Sequence, residues 1–453
     1  MSPHRPPVRC RWRRVVTASA AVLAVVGAPS PTPAPHPVPI RTTAPSESRA
    51  ASRIVADAVP SAAVLRALPD AARRPGHLPR LVPTARTFEL ASRPGAPLTV
   101  YLDVTGHTVR DGLWVDSYGG GAAVEAPAYE EPGGRSPGVV SAREAAWIQQ
   151  VWAGVADDFA AWDVNVTTIE PPESDLVRAD DHDPRYGVRV VVTRAEPWTP
   201  RCDCSGLAWR GLFDDVGEVN RRNGIVWVFT GVLRSVPSWV AATASHEIGH
   251  AFGLRHHGVR TPGGAAQEYY TGRAPWAPIM GAPHLNPVVQ WSRGDYAGAD
   301  NDQDDLAVIG AHASPVRDDY PDDPGLLGIV PLRGFGSTVR GVIGPGDVDV
   351  FSVLVVRPGR YRIAVRPAVR PSALDVAVDV QSALGRRLAW VAPWTRRQDS
   401  VTSLGTDAKR TLRLGVGRHF IGITGAGQGD PQAGGYSSYG AIGAWEATVT
   451  RVR

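Results

Sequence analysis

One stretch constrains this chain more than any other: His246-Glu247-Ile248-Gly249-His250-Ala251-Phe252-Gly253-Leu254-Arg255-His256. At about 100° per helical residue, His246 and His250 lie within about 40° of each other, while Val240, Ala244, Ile248 and Ala251 gather on the opposite side. Such a helix faces the core with one side and presents two imidazoles with the other. Glu247 is angularly close to them, placed to take a proton from a water that a metal activates. Gly253 then permits a sharp turn without a Cβ penalty, so that the chain returns His256 as a third ligand. Three histidines with one position left open describe a catalytic zinc site; a purely structural zinc fills all four positions and needs no general base.

HExxH arises by accident on the order of once in a hundred chains of this composition, and HExxHxxGxxH roughly a few times in a hundred thousand. The longer motif resembles that of the metzincin zinc endopeptidases. The resemblance implies a methionine turn beneath the metal, and Pro278-Ile279-Met280-Gly281 fits it, Met280 being the only methionine besides Met1. It also implies a substrate-pairing edge strand, for which Gly206-Leu207-Ala208 is the candidate. An unpaired strand edge binds extended peptide through main-chain hydrogen bonds. His257 and Ala282 stand where astacin-like members carry Glu and Tyr, so no tyrosine ligand is expected at 282. The similarity spans roughly residues 98–313.

Composition narrows the partners. The chain of 453 residues carries 48 basic and 44 acidic side chains, but the excess sits at the start. Arg5, Arg9, Arg11, Arg13 and Arg14 occur before any acid, leaving 43 basic against 44 acidic residues beyond position 28. A near-neutral remainder argues against nucleic acid as a partner. The Arg-rich start followed by uncharged Val15–Ala28 reads as a signal peptide over 1–28, too short to span a membrane. Flanking residues fit a twin-arginine signal poorly. The expectation is a secreted, extracellular protein without stable membrane association. Export leaves Cys202 and Cys204, which either bond across a bent loop or remain thiols.

Organisation follows from punctuation and periodicity. Residues 29–95 are Pro- and Ala-rich, a linker or a pro-segment; without a cysteine, such a segment cannot hold a metal latent through a thiolate. Regular structure is expected over 96–317, a mixed α/β unit. Ser141 and Glu144 form a capping box opening a helix through Trp147, Val151, Val155 and Phe159. Strands are expected at Leu98–Val104, Val164–Ile169, Val188–Thr193, Leu207–Phe213 and Ile225–Thr230, with a second helix from about Ser238. A linker, 318–325, leads to 326–453, where alternation through Tyr361, Ile363 and Val365, and through Leu374, Val376, Val378 and Val380, predicts an antiparallel β-sandwich. Gly346-Asp347-Val348-Asp349-Val350-Phe351, Gly359-Arg360-Tyr361, Leu374-Asp375 and Tyr436-Ser437-Ser438-Tyr439-Gly440 make this region similar to pre-peptidase C-terminal domains, which implies a non-catalytic role. The fold class expected is thus a metzincin-like α/β (α+β) catalytic domain, its mixed twisted sheet carrying an active-site helix, followed by an all-β sandwich.

The function these features predict is a zinc metalloendopeptidase acting on protein or peptide substrates. His246, His250 and His256 bind zinc, Glu247 is the general base and then acid, and Met280 supports the site. The alternatives are a secreted β-sandwich binding protein with a vestigial metal site, or a zinc hydrolase with a non-peptide substrate. His107, His182, His284, His312 and His419 are read as structural or surface histidines. Asp300, Asp302 and Asp304 lack the glycine and terminal glutamate of an EF-hand, so no motif supports calcium; Asp304 and Asp305 read as helix caps.

Overall fold

The computed structural model describes residues 53–66, 82–130, 140–194, 204–261, 263–323, 337–393, 396–397, 403–404 and 406–452. The expected signal peptide, the proline-rich stretch after it, and Cys10 and Cys202 lie outside them. No helix among the described residues is long and apolar enough to cross a membrane.

The first lobe is built on a six-stranded mixed sheet. Its strands are β1 (Ile54–Ala58), β2 (Leu98–Asp103), β3 (Val164–Thr167), β4 (Tyr186–Thr193), β5 (Cys204–Trp209) and β6 (Ile225–Phe229), in the order β1-β5-β6-β4-β2-β3. The four central and far strands run parallel, while β5 is antiparallel to β6 and β1 is antiparallel to β5. β2, β5 and β6 are buried along their whole length, as apolar runs covered on both faces should be. The helices that position the site are α1 (Ala142–Asp158), α2 (Pro237–Ala251) and α3 (Asp305–His312). Ser141 caps α1 through the N–H of Glu144, and the Glu144 carboxylate returns the bond, as the sequence predicts. α2 begins with Pro237, whose fixed φ suits the first helical position.

Part of the segment expected as linker or pro-segment belongs to this sheet. β1 lies along β5 in the register Ile54–Trp209, Val55–Ala208, Ala56–Leu207 and Asp57–Gly206. Arg53 anchors it, donating to the carbonyls of Arg210 and Gly211 and pairing with Asp215 at 2.9 Å, its guanidinium over the Trp209 ring. Farther on, Val82 is held at both N–H and carbonyl by the Gln149 side chain.

The second lobe is a sandwich of two four-stranded antiparallel sheets. One has the order β7 (Ser337–Ile343), β14 (Gly443–Val452), β9 (Gly359–Pro367), β12 (Ala408–Leu414); the other β8 (Val348–Val355), β13 (Gly417–Gly425), β10 (Val376–Ser382), β11 (Arg387–Val391). Phe351, Ile363, Leu374, Val378, Ile421 and Trp445 fill the space between. Tyr320, from the expected linker, packs on Phe351 and Trp445, so 318–323 is laid against the sandwich rather than strung between lobes.

The lobes share a seam that is polar at one part and apolar at another. Asp157, at the end of α1, accepts from the Ser372 hydroxyl at 2.7 Å and the Ala444 N–H at 3.0 Å. Gln290 donates to the Ala373 carbonyl, and the Tyr439 hydroxyl donates to Asp304 while accepting from the Leu306 N–H. Tyr436 joins Trp276, Val288 and Tyr296 in an apolar cluster that spans both lobes.

Candidate metal centre

The helix places His246 and His250 on one face, as their four-residue spacing requires. After Gly253, at φ +99°, the chain turns back and brings His256 beside them. The Nε2 atoms of His250 and His256 stand 3.1 Å apart. Each ring is held from behind: Nδ1 of His246 donates to the Ile279 carbonyl at 2.7 Å, that of His250 to the Leu254 carbonyl at 2.8 Å, and that of His256 to Glu268 at 2.8 Å. With Nδ1 carrying the proton, Nε2 keeps its lone pair, the tautomer a metal ligand needs.

The loop carrying His256 is braced by a segment the sequence does not mark for this task. Asn301 donates to the carbonyls of Arg255 and His256, Gln303 bonds the Arg255 N–H and the Gly253 carbonyl, and Asp300 accepts from the Gly258 N–H. Asp304 caps α3, as expected. Asp305 does something else: fully buried, it pairs with His257 at 3.1 Å and accepts from the Ser292 N–H. Met280 is fully buried, and its carbonyl accepts from the His257 N–H at 2.7 Å, closing a turn directly behind the site. The neighbouring Ile279 carbonyl is the one that orients His246.

Glu247 is fully buried, and neither carboxylate oxygen has a hydrogen-bond partner. It packs straight onto the middle of β5. A Cβ at Gly206 would lie 2.0 Å from Glu247 Oε1, which is why this strand position needs glycine. Burial, and then the charge of Asp57, push the Glu247 carboxyl well above its usual range.

Asp57 is the member that motif reasoning does not find. Its Oδ1 lies 2.7 Å from Nε2 of His256 and 3.3 Å from Nε2 of His246, and Oδ2 lies 3.5 Å from Nε2 of His250. Burial alone would raise the Asp57 carboxyl, but the charges of His246 and His250 outweigh it and hold the group well below the carboxylate range. Tyr269 adds its hydroxyl at 3.1 Å from Asp57 Oδ1, with its ring against His256. The only sequence signal for Asp57 is a short β-prone run, Ile54-Val55-Ala56, in a segment otherwise rich in Ala, Arg and Pro.

Three imidazole nitrogens and one carboxylate converging on one point form a donor set that fits zinc. Unpaired buried atoms agree: Nε2 of His246 and Oδ2 of Asp57, both members of this set, have no hydrogen bond. Beside it lies a cavity of about 160 Å³, walled by Val59, Pro60 and Val64 of the N-terminal segment and by Thr243, Thr271 and His284. Of the histidines set aside, His284 meets the Trp239 ring edge to face, His312 packs on Phe213 and Phe252, and His419 bonds the Gly415 carbonyl. Gly206, Leu207 and Ala208 lie in β5 as expected, but β1 already occupies that edge. Cys204 is disulfide-bonded.

No family model matches the chain, and no curated protein matches it. Among solved structures, the pre-peptidase C-terminal domain of a collagenase from Bacillus anthracis is 14% identical, with a TM-score of 0.20, over 29% of this chain and 100% of that one. PliG of Aeromonas hydrophila, a periplasmic inhibitor of g-type lysozyme, is 12% identical, with a TM-score of 0.16, over 27% of this chain and 94% of that one. At these scores neither likeness carries an argument about function.

Proposed function

We propose that this chain is the latent form of a secreted, metzincin-like zinc endopeptidase, followed by a non-catalytic β-sandwich of the pre-peptidase C-terminal kind. The observation that carries the reading is β1: an extended stretch of the chain's own polypeptide crosses the three imidazoles, pairs with β5, and sets a carboxylate at the fourth position. A cleft that accommodates a β-strand in this way is shaped for peptide, which favours peptide over other hydrolysable substrates.

His246, His250 and His256 would hold the zinc, which when bound supplies Lewis acidity toward a scissile carbonyl and makes water a nucleophile near neutral pH. Glu247, raised in pKa and pressed against β5, is the group that takes a proton from water and returns it to the leaving amine. β5 offers the main-chain hydrogen bonds that β1 now uses, so a substrate strand would run in β1's direction, antiparallel to β5. Tyr269 would then turn its hydroxyl from Asp57 to the substrate oxygen lying in its place. Binding of a substrate requires that β1 leave, and a cut between Arg66 and Val82 frees it while keeping the Val82–Gln149 bonds.

The test uses protein cut in that interval and an unstructured peptide. Glu247→Gln should retain zinc and lose at least about 10²-fold in turnover. Full turnover by the variant would remove Glu247 as the base.

A further inference from the structure

The chain carries a formal charge of only +4, yet one face of the sandwich is strongly basic. Residues opposite one another on antiparallel strands share a face. The register of β7, β14, β9 and β12 therefore turns Arg360, Arg362 and Arg366 of β9 and Lys409 and Arg413 of β12 to the same outer side, away from Ile363 and Val365 in the core. Arg340 of β7 joins them, and all six are exposed. Glu446 of β14 is the only acid in these four strands. It takes up two of the cations, accepting from Arg340 at 2.7 Å and from Arg366 at 2.6 Å. Asp407, just before β12, pairs with Arg370 instead. Arg360, Arg362, Lys409 and Arg413 are left without an ion pair to any described residue.

Arg360 and Arg413 are direct cross-strand partners, and like charges so placed work against the sheet unless an anion lies between them. Lys409 stands four residues from Arg413, about 14 Å away along the strand, so one small anion cannot serve both. The remaining side chains of the face decide which polyanion fits. They are threonines, among them Thr411, Thr448 and Thr450, and small aliphatic groups, with no aromatic ring. Bases therefore find nothing to stack on. None of the sandwich's exposed large apolar side chains among the described residues, Leu354, Val356, Leu384, Trp390 and Val416, belongs to these strands, so a protein partner finds no anchor. We infer that this face docks a linear polymer whose charge lies in its own backbone, a phosphodiester-linked polyol or sugar chain. Guanidinium forks match the two free oxygens of each phosphodiester, and the threonine hydroxyls donate between them. The paired cations lie at the end of the face where Ala444 bonds Asp157 of the first lobe, and Arg360 and Arg413 lie at the opposite end. A bound polymer thus tethers the chain by the far end of the sandwich.

Neither the metal nor peptide hydrolysis enters this inference, so binding alone tests it, whether or not the chain is a protease. The full-length chain is titrated with poly(glycerol phosphate) at ~50 and ~200 mM NaCl, and with about four contacts its affinity should fall on the order of 10–100-fold between the two. Arg360→Gln/Arg413→Gln should weaken binding at the lower salt by about 10-fold or more without lowering Tm, because it relieves a like-charge pair. Arg317→Gln/Arg386→Gln removes the same charge from exposed positions elsewhere and should stay within about twofold. Both variants keep the arginines at the start of the chain, so their difference reads the sandwich alone. A single-stranded oligonucleotide and polyglutamate of equal charge should bind the parent more weakly. No binding of the polymer, an equal loss in the two double variants, or binding of either competitor as tight as that of the polymer would overturn the proposal; should Arg360→Gln/Arg413→Gln fail to fold, Arg362→Gln/Lys409→Gln decides in its place.

Discussion

Asp57 in the cleft and Asp349 in the sandwich are both buried carboxylates, and their surroundings are opposite. Asp57 sits among three imidazoles and is held well below the carboxylate range; Asp349 faces other carboxylates and is pushed up to about 9. Burial raises both, so the difference comes from the neighbours. The cleft supplies three nitrogen donors beside one carboxylate, a set that suits zinc. The sandwich surrounds Asp349 with other carboxylates, which, apart from the Trp445 N–H, favours its protonated form. In the proposed function the first carboxylate withdraws with β1, while the second stays in its strand.

Asp57→Ala in the uncut chain breaks the first half of this comparison and has the largest expected effect. With Arg53 still anchoring β1, the variant should cleave a small peptide about 10-fold or more faster than the uncut parent, measured by peptide turnover. If it stays silent while the cut protein is active, the strand itself closes the site and the carboxylate is incidental.

Asp157 sharpens the comparison from between the extremes, because its hydrogen bonds come from neutral donors. Burial raises its carboxyl to about 6, although the Ala444 N–H and the Ser372 hydroxyl pull it down. A raised folded pKa means the protonated acid is favoured in the fold. Its contribution is therefore complete below about pH 4 and is lost as pH rises through about 6. Asp157→Asn keeps an acceptor for both donors and does not titrate. The Tm of the parent should fall relative to the variant between pH 4 and 6 and run parallel above 7. Parallel curves throughout would show that the seam does not hold this carboxyl up.

What was legible in sequence is what repeats locally. The histidine face of α2, the cap at Ser141 and the period-two strands of the sandwich each depend on residues a few positions apart. Asp57, Tyr269 and the brace of Asp300, Asn301 and Gln303 depend on which distant segments the sheet and the turn after Gly253 bring together, and no short spacing encodes that. The seam between lobes was hidden for the same reason. Tyr436 and Tyr439 stand out as motif residues, but their partners across the seam, Trp276 and Asp304, emerge only from packing. Asp347 and Asp349 were likewise visible as a motif, whereas their convergence with Asp318, Asp319 and Asp322 required Tyr320 to dock on Phe351.

Metal content of the purified full-length chain tests the central claim most directly. One zinc per chain is expected, bound by three imidazoles and one carboxylate in its X-ray absorption spectrum, with the oxygen ligand changed in Asp57→Ala and the zinc lost in His246→Ala/His250→Ala. Folded protein without stoichiometric zinc, or zinc retained when both helical histidines are gone, would contradict it.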